Sequence, residues 1–335
     1  IETILYNEVG CLWNYEGDSL IIQLDSIDRI SGWDFSEYIV YIDELNSVFE
    51  YLLSSSTLNS KRKTIDLLLT RIIRECKQFI GTDADISDLC LKWLNPEKHI
   101  DVLPDILEDF KAQSPNLDFE YIENTHKHYK GVVAKELFEY QDLVNMIRKE
   151  ESFMVCSDSA TEAHNLRNKL ILEDNKYEDS TVVIDRLYDK KKEQNLDNIA
   201  KVIFSPKIVY GLDSQMRRKV FCLFKGKTIS SKSMLQQIAR CRNQEAVYYY
   251  FMDKRDIIKN FEFNNTNEVI NKVRYCDTKI NNYMKKQIEY ATIEADSMGQ
   301  ESLYNYLMTY YLYNLDADKS NVFHHFRNGL KNIGY

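Results

Sequence analysis

The 335-residue chain is short of the residues that break and turn a backbone, with 10 glycines and 4 prolines. Tight turns depend on glycine's access to positive φ and on proline's fixed φ. Their scarcity predicts long helices and few tight turns. No run of about 18 apolar residues occurs, so no helical membrane span is expected, and no signal-peptide pattern is visible. The seven cysteines (Cys11, Cys76, Cys90, Cys156, Cys222, Cys241 and Cys276) are scattered and never form C-x-x-C. That distribution predicts reduced thiols in an intracellular compartment, not a disulfide framework. His126 and His128 lie close together, but no Cys or carboxylate stands at ligand spacing, so no structural zinc is expected. The chain opens mid-pattern on Ile1, and we expect it to be a fragment of a longer protein.

What is present describes a globular chain: 44% hydrophobic and 28% charged residues, with 23 Tyr and 15 Phe. The length suits two or three domains. A net charge of −9 argues against a general nucleic-acid binder. Its distribution argues the other way. Residues 190–255 carry fifteen Lys and Arg against five Asp and Glu, and a basic region on an acidic body is the footprint of a phosphate-binding face. A solvated surface is the plain alternative.

The N-terminal third alternates strand and helix. "DSLIIQLDSI" (18–27) reads as a strand running into a turn, and "EYIVYIDE" (37–44) as a short strand ending in two carboxylates. "CKQFIGTDADISD" (76–88) reads as a strand followed by an acidic turn, with a helix spaced between at "KRKTIDLLLTRIIREC" (61–76). This is the βαβ rhythm of a parallel sheet. Residues 97–130, with Pro104 and Pro115, read as a connection with room for a last strand near 117–124. Beyond it, 134–150 is expected to be an amphipathic helix, 152–158 a strand, and 159–171 a helix opened by the capping pattern Ser159–Glu162. Strands follow at 180–187, 200–206, 219–226 and 246–252, with a helix at 231–241. After Arg255 the texture is helical. The expected organisation is therefore α/β: 1–96 as the C-terminal part of a first RecA-like lobe, 97–130 as the connection, 131–255 as a second RecA-like lobe, and 256–335 as a helical appendage.

Tandem lobes of this kind hold a nucleotide between them, and several motifs suit that role. A strand ending in Asp43-Glu44 offers one carboxylate to hold Mg²⁺ through water and a second to polarise an attacking water; an acidic loop after a buried strand is the alternative. "GTDADISD" (81–88) sets Asp83 and Asp85 in the turn after the next strand. "VIFSPKIVYGLDS" (202–214) runs from a strand into a loop carrying Ser205 and Lys207, then Gly211 and Asp213. "MLQQIARCRN" (234–243) places Gln236, Arg240 and Arg242 at the end of an apolar helical stretch without an acidic neighbour. Such charges need a partner from elsewhere in the fold or from a ligand. Residues two apart on a helix point about 200° apart, so Arg240 and Arg242 converge only if the helix stops between or just after them.

The ordered string "QLDS … YIDE … FIGTDAD … IFSPKIVYGLDS … FKGKTISS-x-x-MLQQIARCRN" resembles the superfamily 2 helicase cores of the replication origin-binding proteins of herpesviruses and related large DNA viruses, over roughly residues 18–255. Ala239 stands where that motif usually has glycine. The resemblance implies an ATP-dependent DNA helicase or translocase with ATP and Mg²⁺ as cofactors. It implies Asp43 as metal holder and Glu44 as water activator, with Asp83 and Asp85 coupling the cleft to the track. It implies Gln236, Arg240 and Arg242 on the γ-phosphate, with Gly211 and Asp213 toward the nucleotide. Gln23, Ser26, Ser157, Ser205 and Lys207 would lie toward the nucleic-acid backbone. DNA is the implied partner, with replication proteins beside it and no membrane, at a viral replication site in the host cell.

One part is missing. No G-x-x-x-x-G-K-[ST] phosphate loop precedes residue 20, so this chain alone is expected to be inactive in hydrolysis. Gly226-Lys227-Thr228 is a decoy: position 221 is Phe, and the string lies in the second lobe. The alternative function is a non-hydrolysing DNA-binding scaffold that keeps the lobes.

Overall fold

The computed structural model describes residues 3–9, 12, 15, 17, 19–55, 58, 61–184, 196–205, 213–226, 228–253 and 303–335. They divide into two compact units, one within residues 1–122 and 265–313, the other within 123–264 and 314–335.

In the first unit, strands β1 (Thr3–Leu5) and β2 (Ser19–Ile21) pair in parallel, as do β3 (Ile39–Ile42) and β4 (Gln78–Gly81). Between β2 and β3 lies a 3-10 helix, Leu24–Ile30. The helices are α1 (Leu45–Ser54), α2 (Arg62–Glu75), α3 (Asp88–Leu94), α4 (Pro96–His99) and α5 (Pro104–Gln113). Helix α2 buries Ile65, Leu68, Leu69, Ile72 and Ile73, the i, i+3, i+4, i+7, i+8 stripe that one amphipathic face requires. Phe49 of α1 stacks on Trp93 of α3, with ring centroids 4.7 Å apart. Arg74 ties α2 to the end of α5 by donating to the carbonyls of Ala112 (3.0 Å) and Ser114. Leu303 and Leu307, from the first turns of α10 (Leu303–Ser320), complete this core.

In the second unit, β5 (Val133–Glu136), β6 (Phe153–Ser157), β7 (Thr181–Ile184), β8 (Lys201–Phe204), β9 (Arg218–Phe224) and β10 (Gln244–Phe251) form one sheet. Its order is β5-β10-β9-β6-β8-β7, with every pair parallel. Alternate side chains feed two cores. Met154, Cys156, Val202, Phe204, Val220, Cys222 and Val247 pack with Met234 and Ile238 of α9 (Ser231–Ala239) and with Val322, Phe326 and Leu330 of α11 (Val322–Ile333). Phe153, Val155, Ile203, Phe221 and Leu223 pack on the opposite face, with α6 (Tyr140–Ile147) and α7 (Ala160–Glu173). A short helix, α8 (Tyr177–Ser180), leads into β7. Parallel strands covered on both faces read as continuous apolar runs, and the fold is α/β as expected.

Two sequence expectations differ from the structure. Residues 134–150 do not form one helix: Val133–Glu136 is an edge strand paired to β10, and the helix begins only at Tyr140. The 3.6-residue pattern of α6 continues backward across a strand of only four residues, so periodicity does not separate the two. No strand forms at 117–124 either. Residues 120–128 are exposed, and Leu117 instead hydrogen-bonds Leu94 and Asn95. The connection carries helix α5, started by Pro104 at its first turn, where a missing N–H costs nothing.

Candidate functional site

In the first unit the acidic residues gather where β3 and β4 end. Their parallel register sets Ile42 beside Gly81, so Asp43 and Thr82 leave the sheet together. Asp43 Oδ1 accepts from the Thr82 hydroxyl (3.0 Å) and from the Glu44 amide (3.1 Å). The Thr82 hydroxyl also lies 2.9 Å from that of Tyr41. Helix α1 starts at once, and its first amides need acceptors. Leu45 N–H donates to Thr82 O (2.9 Å) and Asn46 N–H to Asp83 Oδ2 (2.9 Å). Asp83 thus places a carboxylate at the positive end of α1. The Asn46 side chain then fastens the loop after β4: it donates to Asp85 O and accepts from Ser87 N (3.0 Å) and Ser87 Oγ (2.7 Å). Asp43, Glu44, Asp83 and Asp85 are therefore brought together. Thr82 and Asn46, which do the joining, carry no motif signal of their own.

Glu44 occupies the left-handed region, with φ 56° and ψ 52°. Gln23 and Ser26 lie elsewhere in this unit, at the start of the 3-10 helix. Gln23 Oε1 accepts from Tyr6 (3.1 Å), and Ser26 Oγ donates to Asp25 (3.3 Å).

In the second unit the condition for Arg240 and Arg242 to converge is met. Helix α9 stops at Ala239, and Cys241 forms a parallel bridge with Ser214. Ser214 N–H donates to Arg240 O and Arg242 N–H to Ser214 O, each at 2.8 Å. Residues flanking a bridged position point the same way, and both guanidinium groups reach Asp213. Arg240 Nη1 donates to Oδ1 at 3.0 Å, and Arg242 to Oδ2 through Nη2 (2.7 Å) and Nε (3.1 Å). Asp213, Arg240 and Arg242 are thus assembled, with the acidic partner drawn from the neighbouring motif. Gln236 is half-buried on α9. Gly211 and Lys207 lie outside the described residues.

The residues after Asp213 are held by a network that sequence inspection missed. Asp197 accepts from Ser214 Oγ (2.7 Å) and from the amides of Gln215 and Met216 (2.9 Å each). The Ser214 hydroxyl, first of all, holds the Asp197 carboxyl below its ordinary range. Arg218, fully buried, donates to the carbonyls of Ile199 (3.0 Å) and Leu196 (3.2 Å) and to Ser214 Oγ (3.0 Å). Burial pushes its guanidinium pKa down.

Ser157 and Ser205 meet at the C-terminal edge of the sheet, where Gln237 Nε2 donates to both carbonyls, at 3.4 and 3.3 Å. Neither side chain reaches the surface; Ser157 is 0% exposed and its hydroxyl donates to Ser159 O. The decoy G-K-T string also has a local role. The buried Asp158 accepts from the amides of Lys225 (2.7 Å) and Gly226 (2.8 Å), with Gly226 at φ 77°. The Ser159 cap forms as predicted with Glu162 N (3.3 Å), while the Glu162 carboxylate pairs with Lys225 at 2.7 Å.

Hard oxygen donors at Asp43 suit a Mg²⁺ that keeps waters and takes further ligands from nucleotide phosphates. Among the described residues no three His, Cys, Asp or Glu converge as a metal cage.

Against known proteins, the first unit gives a match. Residues 5–110 match the family model described as origin of replication binding protein. No curated protein matches the chain. Among solved structures it is similar to the DUF1998 helicase MrfA bound to DNA, at 14% identity over 77% of this chain and 39% of that one, with a TM-score of 0.49. It is similar to Dbp5 of S. cerevisiae bound to RNA and ADP BeF3, at 11% identity over 75% and 64% of the two chains, with a TM-score of 0.45. A third is Mss116p bound to ssRNA and AMP-PNP, at 12% identity over 71% and 48%, with a TM-score of 0.39. The chain therefore aligns with about two-fifths to two-thirds of the length of those structures.

Proposed function

We propose that this chain carries most of the helicase core of a replication origin-binding protein, a DNA translocase driven by ATP hydrolysis. The observation that carries the reading is a coincidence. The stretch matching the origin-binding family contains the one strand end where Asp43 and Glu44 meet Thr82, Asp83 and the start of α1. In this reading Asp43 holds Mg²⁺ through water and Glu44 orients the attacking water. When bound, the metal neutralises charge on the transferred phosphoryl group. Arg240, Arg242 and Gln236 take the γ-phosphate, with Asp213 holding both guanidinium groups in register beforehand. Planar, bidentate donors suit that task. Asp83 and Asp85 couple the nucleotide to the track. Nucleic acid is held by sequence-blind backbone contacts that weaken with salt.

The test is phosphate release by the intact polypeptide in Mg-ATP, with and without single-stranded DNA or RNA. Stimulation by DNA above RNA supports the reading. DNA binding without nucleotide turnover supports a non-hydrolysing scaffold, and stimulation by RNA alone supports a different motor.

A further inference from the structure

Residues 319–335 contain no Asp or Glu, although the whole chain carries a net charge of −9. They include Lys319, Arg327, Lys331, His324 and His325. Helix α11 buries Val322, Phe326 and Leu330 in the core of the second unit. That burial fixes which residues face outward. His324, Arg327, Asn328 and Lys331 fall at i, i+3, i+4 and i+7, one exposed stripe of the helix. With Phe323 they line a shallow groove. The stripe is pre-set. Asn328 and His324 are hydrogen-bonded at 2.8 Å, and the Arg327 guanidinium lies 5.6 Å from the Phe323 ring centroid. Burial pushes the Tyr249 hydroxyl up, the Glu136 carboxylate adds to that, and the Arg327 guanidinium opposes it. Among the described residues, neither Arg327 nor Lys331 forms an ion pair.

The neighbours extend the same charge. Gly329 lets α11 approach α9 closely; a Cβ there would meet Leu235 Cδ1 at 2.3 Å. The stretch 225–244, which contains α9, also lacks Asp and Glu and carries the exposed Lys232. At the other end, Gly334 lies against the backbone of Tyr129 and Lys130, and Tyr335 stacks on Tyr129 with centroids 4.9 Å apart.

We propose that the outward stripe of α11, His324, Arg327, Asn328 and Lys331, is a phosphate-binding surface for a nucleic-acid backbone. None of these four residues belongs to the motifs read from the sequence. Seven residues of helix span about 10 Å, which matches the axial rise of about three phosphates on one strand of a duplex, at about 3.4 Å each. The contacts are charge and hydrogen bond alone, so the surface is blind to base sequence. The choice of occupant rests on the nucleic-acid reading above; the site itself rests on the stripe.

The test is fluorescence anisotropy of the full chain with a labelled 20-nucleotide single strand and a 20-base-pair duplex, between 50 and 200 mM salt. The variant is Arg327→Gln/Lys331→Gln, with thermal melts confirming that it folds. The expected result is a several-fold loss of affinity. The log–log salt slope should fall by about 1.4 on the single strand or about 1.8 on the duplex, two phosphate contacts' worth. Unchanged affinity and slope in a folded variant overturn the proposal while leaving the helicase reading intact. Absence of binding by the wild type overturns both.

Discussion

Glu44 holds φ at 56° between β3 and α1, a conformation that costs an ordinary residue about 1–2 kcal/mol. The cost is offset locally, because the turn it makes lets the first amides of α1 bond Thr82 and Asp83. Asp66, on α2, is a second residue with a physical signature. Burial pushes its carboxyl up to about 7 from the ordinary 3.8. Between those values the folded chain keeps a proton that the unfolded chain has lost, so stability falls as pH rises through that window and the loss is complete above it. Asp66→Asn removes the effect. Thermal melts should show little difference from wild type at pH 4 and a variant several degrees more stable at pH 8. The ceiling is about 4 kcal/mol, at about 1.4 per pH unit. At this scale the sequence was legible in the placing of Asp43-Glu44 directly after an apolar strand. It was not legible where a side chain serves the backbone. Gln236 and Gln237 are adjacent and identical in type, and only the fold shows that Gln237 bridges Ser157 and Ser205.

Among the elements, the end of α9 carries the most chemistry. A change from helix to β-bridge within three residues turns two arginines from opposite sides to one side. Helical periodicity could state the condition, that the helix must stop, but not the Ser214 bridge that meets it. Arg240 and Arg242 share Asp213 unequally, with side-chain exposures of 11% and 42%. A double-mutant cycle on stability should find coupling of about 1–2 kcal/mol for Asp213 with Arg240 and under about 1 kcal/mol for Asp213 with Arg242. Equal couplings would show that the two ion pairs are equally solvated. The strands were legible because β6 and β8 to β10 are apolar runs with turn residues between them. The short edge strand β5 was not, since its Val133–Glu136 segment runs into the periodic face of α6.

Across the whole molecule, the two units carry opposite chemistry: carboxylates at the end of β3 in one, guanidinium groups at the end of α9 in the other. The C-terminal helices read as one appendage in the sequence, yet their apolar faces go to different cores. Leu303 and Leu307 join the first unit, while Val322, Phe326 and Leu330 join the second. Amphipathic spacing predicts that a helix is covered but does not name the surface that covers it. The proposed function requires both chemistries to act on one triphosphate. The most direct measurement is DNA-stimulated ATP turnover by the intact polypeptide for wild type, Glu44→Gln and Arg240→Gln, with DNA affinity measured in parallel. We predict that both variants keep DNA affinity within about threefold and each lose at least about a hundredfold in turnover, in line with the removal of a catalytic group or arginine finger. Turnover retained in either variant would contradict the account.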